Sequence, residues 1–265
     1  MYSLVKITAK YIRYFLLASN GKGHGVHSPF VFDFIKNVLN DKRYFYAYNS
    51  VEAIRKQMIT DDTLLTIKDY GAGSTVSKSD QRKISSIARA SLKPAKYSQL
   101  LFRIVNYYKC NNIVELGTSL GVTTAYLASA NTNGSVVTME GATEVAGIAS
   151  KNFEQLGLNN IEVIEGNFDD TLNSTLQKTG TVDLAFIDGN HRKEPTLNYF
   201  YQLLEKATQT SIFIFDDIHW STNMEEAWDE IRQHASVTLS IDLFFIGLIF
   251  FRSEQKKQQH FTVRF

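Results

Sequence analysis

The chain has 265 residues, 44% of them hydrophobic and 21% charged, a composition typical of a globular protein with one full core. Its single cysteine, Cys110, excludes an intramolecular disulfide and fits a reducing compartment. The net charge of +1 conceals an asymmetry, because residues 1–111 hold 18 Lys and Arg against 7 Asp and Glu, and residues 112–265 hold 10 against 20.

This charge asymmetry has two interpretations, and both stay open. A basic half beside an acidic half can bind an anionic partner such as RNA. Alternatively, the two halves attract each other within the molecule or across a dimer, and charge runs are usually solvated surface. The second interpretation is favoured, so nucleic acid is the weaker expectation for a partner, and a homodimer is compatible with the charges.

The N-terminal segment, MYSLVKITAKYIRYFLLAS, carries Lys6, Lys10 and Arg13 at helical spacing. A signal peptide would instead place its charges before an unbroken apolar stretch. The longest uninterrupted apolar run, at 243–251, is too short to cross a bilayer as a helix. We therefore predict an amphipathic helix at the N-terminus of a cytoplasmic protein that has no membrane partner.

Further helical patterns follow at about 29–40, 50–59 and 80–91, so a largely helical N-terminal extension or lid is predicted over residues 1–95. Within it, the stretch HGVHSPFVF is either a lid over a substrate or a segment that starts a helix and packs on the core. The glycine-rich stretch DYGAGS, at 69–74, is predicted to be a polar surface loop. No second strand that ends in an acid follows it at the spacing a cofactor loop requires.

From residue 112 onward, strand-like and helix-like segments alternate. Five strands separated by helices imply right-handed crossovers and a parallel sheet. Two final β-rich stretches, SVTLSIDLF and FIGLIFFR, are joined almost directly and predict an antiparallel closing pair. Residues 96–265 are therefore predicted to form an α/β domain with a doubly wound, mostly parallel seven-stranded sheet of the Rossmann-like type.

The stretch NIVELGTSLG, at 112–121, has the pattern of a cofactor-binding loop between a strand and a helix. Gly117 and Gly121 flank the turn, so that the backbone can approach a ligand at the helix N-terminus. The next strand, SVVTME, ends in Glu140, 23 residues after Gly117, which is about the spacing at which an acid binds a ribose diol. Because the loop is not G-x-G-x-x-G, a nicotinamide oxidoreductase is disfavoured.

The pattern E-x-G-x-x-x-G in this loop, together with the closing pair of strands, resembles the first motif of class I S-adenosylmethionine-dependent methyltransferases. The resemblance implies that S-adenosylmethionine lies at the ends of the first three strands. The implied contacts are Glu115, Gly117 and Ser119 with the methionine part, Glu140 with the ribose hydroxyls, and Asn167 and Phe168 with the adenine.

Three aspartates end the fourth and fifth strands: Asp188 in IDGNH, and Asp216 and Asp217 in FDDIHW. The carboxyl ends of parallel strands meet at one edge of a sheet, beside the cofactor crevice, so Asp188 is also a candidate cofactor contact. Three converging carboxylates repel one another unless a cation or a proton intervenes. Mg²⁺ or a similar divalent ion, which prefers oxygen ligands, would resolve the repulsion.

The stretch VDLAFIDGNH followed by IFIFDDIHW resembles the cation-dependent O-methyltransferases of the catechol and caffeoyl-CoA type. The resemblance implies that Asp188 and Asp216 bind the metal, with Asp217 in place of the family's asparagine. The family's lysine base lies three places after the first metal aspartate, where this chain has His191. An imidazole suits proton removal at neutral pH, and Lys193 is the alternative base.

The sequence thus predicts methyl transfer from S-adenosylmethionine to a hydroxyl oxygen of a small molecule, with assistance from a divalent cation. The resemblance covers roughly residues 95–252 and does not explain residues 1–90. His219 is either a further metal ligand or a structural histidine. Two other functions stay open: an RNA methyltransferase that acts on ribose or base through the basic half, and a non-catalytic cofactor-binding module.

Overall fold

The computed structural model describes residues 1–67 and 81–265, so the DYGAGS loop lies outside the described residues. The α-helices of this part of the chain are α1 (Leu4–Leu17), α2 (Pro29–Phe34), α3 (Tyr46–Thr60), α4 (Ile84–Ser91), α5 (Ala95–Tyr108), α6 (Val122–Ala130), α7 (Thr143–Leu156), α8 (Phe168–Lys178), α9 (Lys193–Leu204) and α10 (Thr222–Gln233). A π-helical turn, Ile35–Leu39, extends α2. The strands are β1 (Leu64–Thr66), β2 (Gln81–Lys83), β3 (Asn112–Leu116), β4 (Ser135–Glu140), β5 (Ile161–Glu165), β6 (Val182–Ile187), β7 (Ala207–Asp216), β8 (Leu239–Asp242), β9 (Ile246–Phe250) and β10 (Gln259–Thr262).

The main sheet of the described residues has eight strands in the order β10-β8-β9-β7-β6-β3-β4-β5, and β1 and β2 form a separate antiparallel pair. Strands β3, β4 and β5 are parallel to one another, β6 is parallel to β7, and β9 is antiparallel to both β7 and β8. The predicted doubly wound, mostly parallel sheet and its antiparallel closing pair are confirmed. The sheet has eight strands where seven were predicted, because β10 adds in parallel alongside β8.

The chain forms two compact units, one of Met1–Asp41 with Leu176–Phe265 and the other of Lys42–Thr175. These bounds differ from the predicted division between residues 95 and 96, which stays a prediction. None of the helices within 1–67 and 81–265 is long and apolar enough to cross a membrane.

The core of the unit Lys42–Thr175 includes the helices predicted for its N-terminal part. Helix α3 buries Tyr48, Val51, Ile54 and Met58, which recur every three or four residues and therefore lie on one face. These side chains share an apolar cluster with residues of α4, α6 and α7. Helices α3 and α4 thus belong to the core of this unit, and their apolar faces account for part of the region that the resemblance left unexplained.

The core of the other unit includes the segment around α2. Ser28 caps this helix and Pro29 occupies its first turn, as the sequence favours. Val31 and Phe34 are wholly buried, and the ring of Phe30 packs edge-on against Phe250 of β9, with 5.0 Å between the ring centroids. These contacts support the interpretation of this stretch as a helix start that packs on the core.

Strand β9 packs closely against α10 at Gly247, and a substitution there tests this contact. A Cβ atom on Gly247 would lie 2.6 Å from Cζ3 of Trp228 in α10, closer than real contacts allow. We expect Gly247→Ala to lower the free energy of unfolding by about 1–3 kcal/mol, as overpacked cores do. The matched control is Gly147→Ala in α7, where the new methyl group has no atom within 4 Å apart from its chain neighbours and the backbone of its own helix, and helix propensity favours alanine. Urea unfolding of both variants measures the difference, and equal stabilities would contradict this packing.

Candidate active site

The loop after β3 is held in a tight turn by backbone hydrogen bonds. Gly117, Ser119 and Gly121 all have positive φ, at 105°, 48° and 83°. The amides of Gly117 and Thr118 donate to the carbonyl of Met139 in β4, at 3.0 and 3.1 Å. The turn therefore fixes the loop against the neighbouring strand and turns the chain into α6, which starts directly after Gly121.

Gly121 is required at this turn for two reasons. Its φ of 83° lies in the left-handed region, where only glycine is free of strain. A Cβ atom would also lie 2.6 Å from Cε1 of Phe153 and 3.0 Å from Cβ of Ala149, both in α7. The close approach of α7 is what makes glycine necessary at the start of α6.

Glu140, at the end of β4, is joined to the loop through backbone amides. Its Oε2 accepts a hydrogen bond from the amide of Ser119 at 2.8 Å, and its Oε1 accepts one from the amide of Ala142 at 3.0 Å. Charge-assisted bonds of this kind are stronger than neutral ones and fix the orientation of a carboxylate. The acid predicted by its spacing and the predicted loop therefore meet in the structure.

Glu115 lies wholly buried beneath the loop, in a network of threonine hydroxyls. Its Oε2 accepts hydrogen bonds from Thr124 of α6 and, at 2.7 Å, from Thr138 of β4. The hydroxyls of Thr118 and Thr138 are 2.6 Å apart. A buried carboxylate is costly unless it is hydrogen-bonded, and Thr124 and Thr138 meet this need. The bond between Thr118 and Thr138 joins the loop to the same network. A contact of Glu115 with the methionine part of a cofactor stays a prediction.

The sequence analysis missed these threonines and two further residues that hold the loop. Thr138 could have been found only from the strand register, since β3 and β4 pair Glu115 with Thr138. The Nδ2 of Asn152 in α7 donates to the carbonyl of Leu120 at 2.9 Å. The hydroxyl of Ser91, at the end of α4, lies 2.8 Å from that of Ser119. We find no sequence signal for the last two contacts, because both join segments far apart in the chain.

Asn167 and Phe168 lie beyond β5, where α8 starts. The amide of Gly166 donates to the carbonyl of Glu140 at 2.9 Å, which places this segment beside the end of β4. The Oδ1 of Asn167 accepts from the amide of Asp169 at 3.2 Å, and the ring of Phe168 is half-buried. The structure thus brings the candidate adenine contacts to the same strand ends as Glu140, although contact with adenine stays a prediction.

In the unit that holds β6 and β7, His191 faces Asp188. The Nε2 of His191 and the Oδ1 of Asp188 are 3.8 Å apart, too long for a hydrogen bond but within range of an ion pair if the imidazole is protonated. Asn190 between them has a positive φ of 52°, and its Nδ2 donates to the hydroxyl of Tyr199 at 3.1 Å. This turn holds His191 and Asp188 on the same side of the loop.

Lys193 is engaged by acids of α10. Its ammonium group lies 3.4 Å from Oε2 of Glu226 and 3.5 Å from Oε2 of Glu230. The hydrogen bond with Glu226 is the main reason that the pKa of Lys193 is raised, which makes its proton harder to remove. These contacts favour His191 over Lys193 as a general base.

Asp216 and Asp217 end β7 in different environments. Asp216 is buried, whereas Asp217 has a positive φ of 53° and donates its amide to the carbonyl of Phe245 at 2.7 Å. Nowhere in residues 1–67 and 81–265 do three or more His, Cys, Asp or Glu side chains come together in a way that could hold a metal ion. Asp188, Asp216 and Asp217 therefore do not fit a three-carboxylate metal centre as they are placed, and their role as ligands stays a prediction.

His219 lies between two carboxylates, one of which, Glu225, also binds Lys10 of α1. Its Nδ1 is 3.0 Å from Glu225 and its Nε2 is 2.8 Å from Asp242, while Glu225 also binds Lys10 at 2.8 Å and the hydroxyl of Tyr2 at 2.7 Å. Burial lowers the pKa of His219, but the hydrogen bonds and charges of Asp242 and Glu225 outweigh this effect and the pKa is raised. These contacts account for His219 as a structural residue.

Comparisons with known proteins agree with the fold. Residues 114–218 match the family model described as a methyltransferase domain. The chain is 30% identical over 126 residues to a catechol O-methyltransferase of Niastella koreensis, a match that covers 46% of this chain and 55% of that protein. The chain thus spans about half the length of this curated relative.

Solved structures share the fold at low sequence identity. An O-methyltransferase of Bacillus cereus in complex with SAH has a TM-score of 0.57 at 21% identity, over 83% of this chain and 96% of that one. An SAH-bound methyltransferase of Podospora anserina has a TM-score of 0.59 at 12% identity, over 96% of this chain and 99% of that one. The resemblance to class I methyltransferases drawn from the sequence is confirmed.

The contacts of His219 predict a pH-dependent contribution to stability. Because the folded pKa is raised, the stabilisation is fully present below the unfolded pKa and is lost as the pH rises through the folded value. We expect His219→Gln to lower the free energy of unfolding more at about pH 6 than at about pH 9. Urea unfolding at both pH values measures this. His24→Gln, at an exposed histidine, is the control. An equal loss of unfolding free energy at both pH values would contradict a charged interaction of His219 with Glu225 and Asp242.

Proposed function

We propose that the chain transfers a methyl group from S-adenosylmethionine to a hydroxyl oxygen of a small molecule. The observation that carries the proposal is the Glu140 carboxylate, which is fixed at the end of β4 by the amides of Ser119 and Ala142. An acid in this position can bind the two hydroxyls of a ribose, while the loop after β3 presents its backbone to the rest of the nucleoside.

The proposed contacts with the methionine part, the ribose and the adenine come from the unit Lys42–Thr175. Gly117 has no side chain that could block the approach of the methionine part, and its φ of 105° is one that glycine adopts freely. Glu140 would hold the ribose, and Asn167 and Phe168 would flank the adenine. The network of Glu115, Thr124, Thr138 and Thr118 would hold the base of the loop in one conformation beneath the methionine part.

The proposed acceptor is a small molecule with adjacent phenolic hydroxyls. This class follows from the Niastella koreensis relative, which is a catechol O-methyltransferase. A phenolic hydroxyl has a pKa near 10, as in tyrosine. A side-chain base such as imidazole can therefore remove its proton at neutral pH as the methyl group is transferred. The acceptor therefore matches the chemistry that a histidine can supply.

The chemistry is a direct displacement in which His191 acts as the base. Its imidazole takes the proton of the acceptor hydroxyl, and an oxygen lone pair forms a bond to the methyl carbon. The bond from that carbon to sulfur breaks, its electron pair stays on sulfur, and the sulfonium becomes a neutral thioether. Asp188, 3.8 Å from His191, stabilises the imidazolium that forms.

A divalent cation would lower the pKa of the acceptor hydroxyl if one were bound. The arrangement of Asp188, Asp216 and Asp217 does not form a three-ligand group, so we derive no step through a metal. Assays with Mg²⁺ and with a chelator test separately whether the reaction uses a cation.

The cofactor proposal predicts the behaviour of Glu140. We expect S-adenosylmethionine to raise the melting temperature, and Glu140→Gln to weaken its binding about tenfold or more, because a charge-assisted hydrogen bond to the ribose is lost. The matched control is Glu144→Gln, an exposed acid in the first turn of α7. Titration calorimetry measures both affinities, and an unchanged affinity in Glu140→Gln would remove this acid from the cofactor site.

The base assignment predicts a specific loss in His191→Gln. We expect kcat with a catechol acceptor to fall about 10²–10⁴-fold, since general base catalysis contributes that much. Affinity for S-adenosylmethionine should stay unchanged. His24→Gln serves as the control.

Cofactor binding without methyl transfer to any hydroxylated acceptor, with or without Mg²⁺, would instead indicate a non-catalytic cofactor-binding module.

A further inference from the structure

Helix α1 exposes an unusual amount of apolar surface. Of the twelve large hydrophobic side chains that lie exposed in the described part of the chain, seven belong to the first 17 residues. Leu4 and Val5 are each 80% exposed, and Leu16 is 69% exposed. Single exposed hydrophobic residues are normal on protein surfaces, but a contiguous patch marks an interaction site.

Five of the exposed apolar residues of α1 share one face of the helix, and Leu17 lies outside that face. At 100° per residue, Leu4, Val5, Ile12, Phe15 and Leu16 fall within an arc of about 120°. This face differs from the one that packs on the protein, which carries Ile7, Tyr11 and Tyr14. The helix therefore presents a second apolar stripe to the solvent, in addition to the one that faces the core.

The inner face of α1 is firmly attached, so the outer stripe is a stable feature of the surface. Tyr14 and Ala18 are buried against Phe244, with Ile7 and Tyr11 packed beside them. The ring of Tyr11 meets that of Phe244 edge-on, at 5.1 Å between centroids. These contacts and the ion pair with α10 hold the helix flat on its unit.

A row of cations borders the apolar stripe. Lys6 and Arg13 lie exposed along one edge, and Arg264 donates to the carbonyl of Leu16 at the C-terminal end of the helix. Residues 1–32 contain four Lys and Arg and no Asp or Glu. The combination of an exposed apolar stripe with a flanking row of cations is typical of helices that lie in the surface of an anionic membrane.

We propose that α1 is an interfacial anchor that docks the protein on an anionic lipid bilayer. Its 14 residues extend over about 21 Å, which suits a helix lying in the plane of the interface. The apolar stripe enters the boundary between headgroups and acyl chains, and Lys6 and Arg13 meet the lipid phosphates. This inference departs from the expectation of a protein without a membrane partner.

The exposed apolar face of α1 could instead bind a second copy of the chain, but the positive charges of the helix disfavour such a dimer. Antiparallel pairing of two α1 helices would bring Lys6 of one copy near Arg13 of the other, and the helix has no acid to compensate. An anionic lipid surface instead neutralises both cations. The proposal is independent of the proposed enzymatic function.

Vesicle flotation of the full chain tests the anchor. We expect the protein to float with phosphatidylcholine vesicles that contain phosphatidylglycerol and to bind much less to pure phosphatidylcholine or at high salt. Ile12→Glu should lower the partition coefficient about tenfold or more, since one apolar anchor is lost. Arg13→Gln should lower it about fivefold on anionic vesicles only.

The matched control is Leu64→Glu, which places the same charge at an exposed leucine of β1 and should float like the wild type. Circular dichroism and thermal melting show whether each variant is folded. Absence of flotation, or equal flotation of folded Ile12→Glu and wild type, would overturn the proposal. A wild-type dimer that Ile12→Glu converts to a monomer, as measured by light scattering, would overturn it in favour of a second copy.

Discussion

The geometry of the candidate cofactor site depends on one ionic hydrogen-bond arrangement, in which the Glu140 carboxylate binds the backbone amides of Ser119 and Ala142. The first amide belongs to the loop after β3 and the second to the segment that leads into α7. A single side chain thus ties the conformation of the loop to the end of the neighbouring strand. The wholly buried Glu115 lies beneath the same loop and accepts hydrogen bonds from Thr124 and Thr138, which adds a second fixed carboxylate at these strand ends.

The parts of the fold that follow from local pattern were predicted from the sequence. The alternation of strands and helices after residue 112 fixes a parallel sheet, and the spacing between Gly117 and Glu140 identifies the loop and its acid. Helix α8, between the third and fourth strands of this alternation, has no clear helical pattern of its own, because its apolar positions are few. Buried Leu172 and Leu176 lie one turn apart, and the acidic residues Asp169 and Asp170 stabilise its first turn.

The features that sequence analysis could not supply depend on contacts between distant segments. The threonine beneath Glu115 follows from strand register, and the acids that engage Lys193 lie on α10, more than thirty residues away. Helix α1 is apolar on two faces, so its pattern predicts a helix without indicating which face meets the core. The structure assigns the face of Tyr14 to the core and leaves that of Ile12 at the surface.

The central claim is that Glu140 and the loop after β3 bind the nucleoside of S-adenosylmethionine. A crystal structure of the chain with S-adenosylhomocysteine tests this claim most directly. We predict density for both ribose hydroxyls within hydrogen-bond distance of the Glu140 carboxylate, with the amino-acid part of the ligand along Gly117 and Ser119. A nucleoside bound elsewhere, with Glu140 still contacting only the protein, would contradict the account.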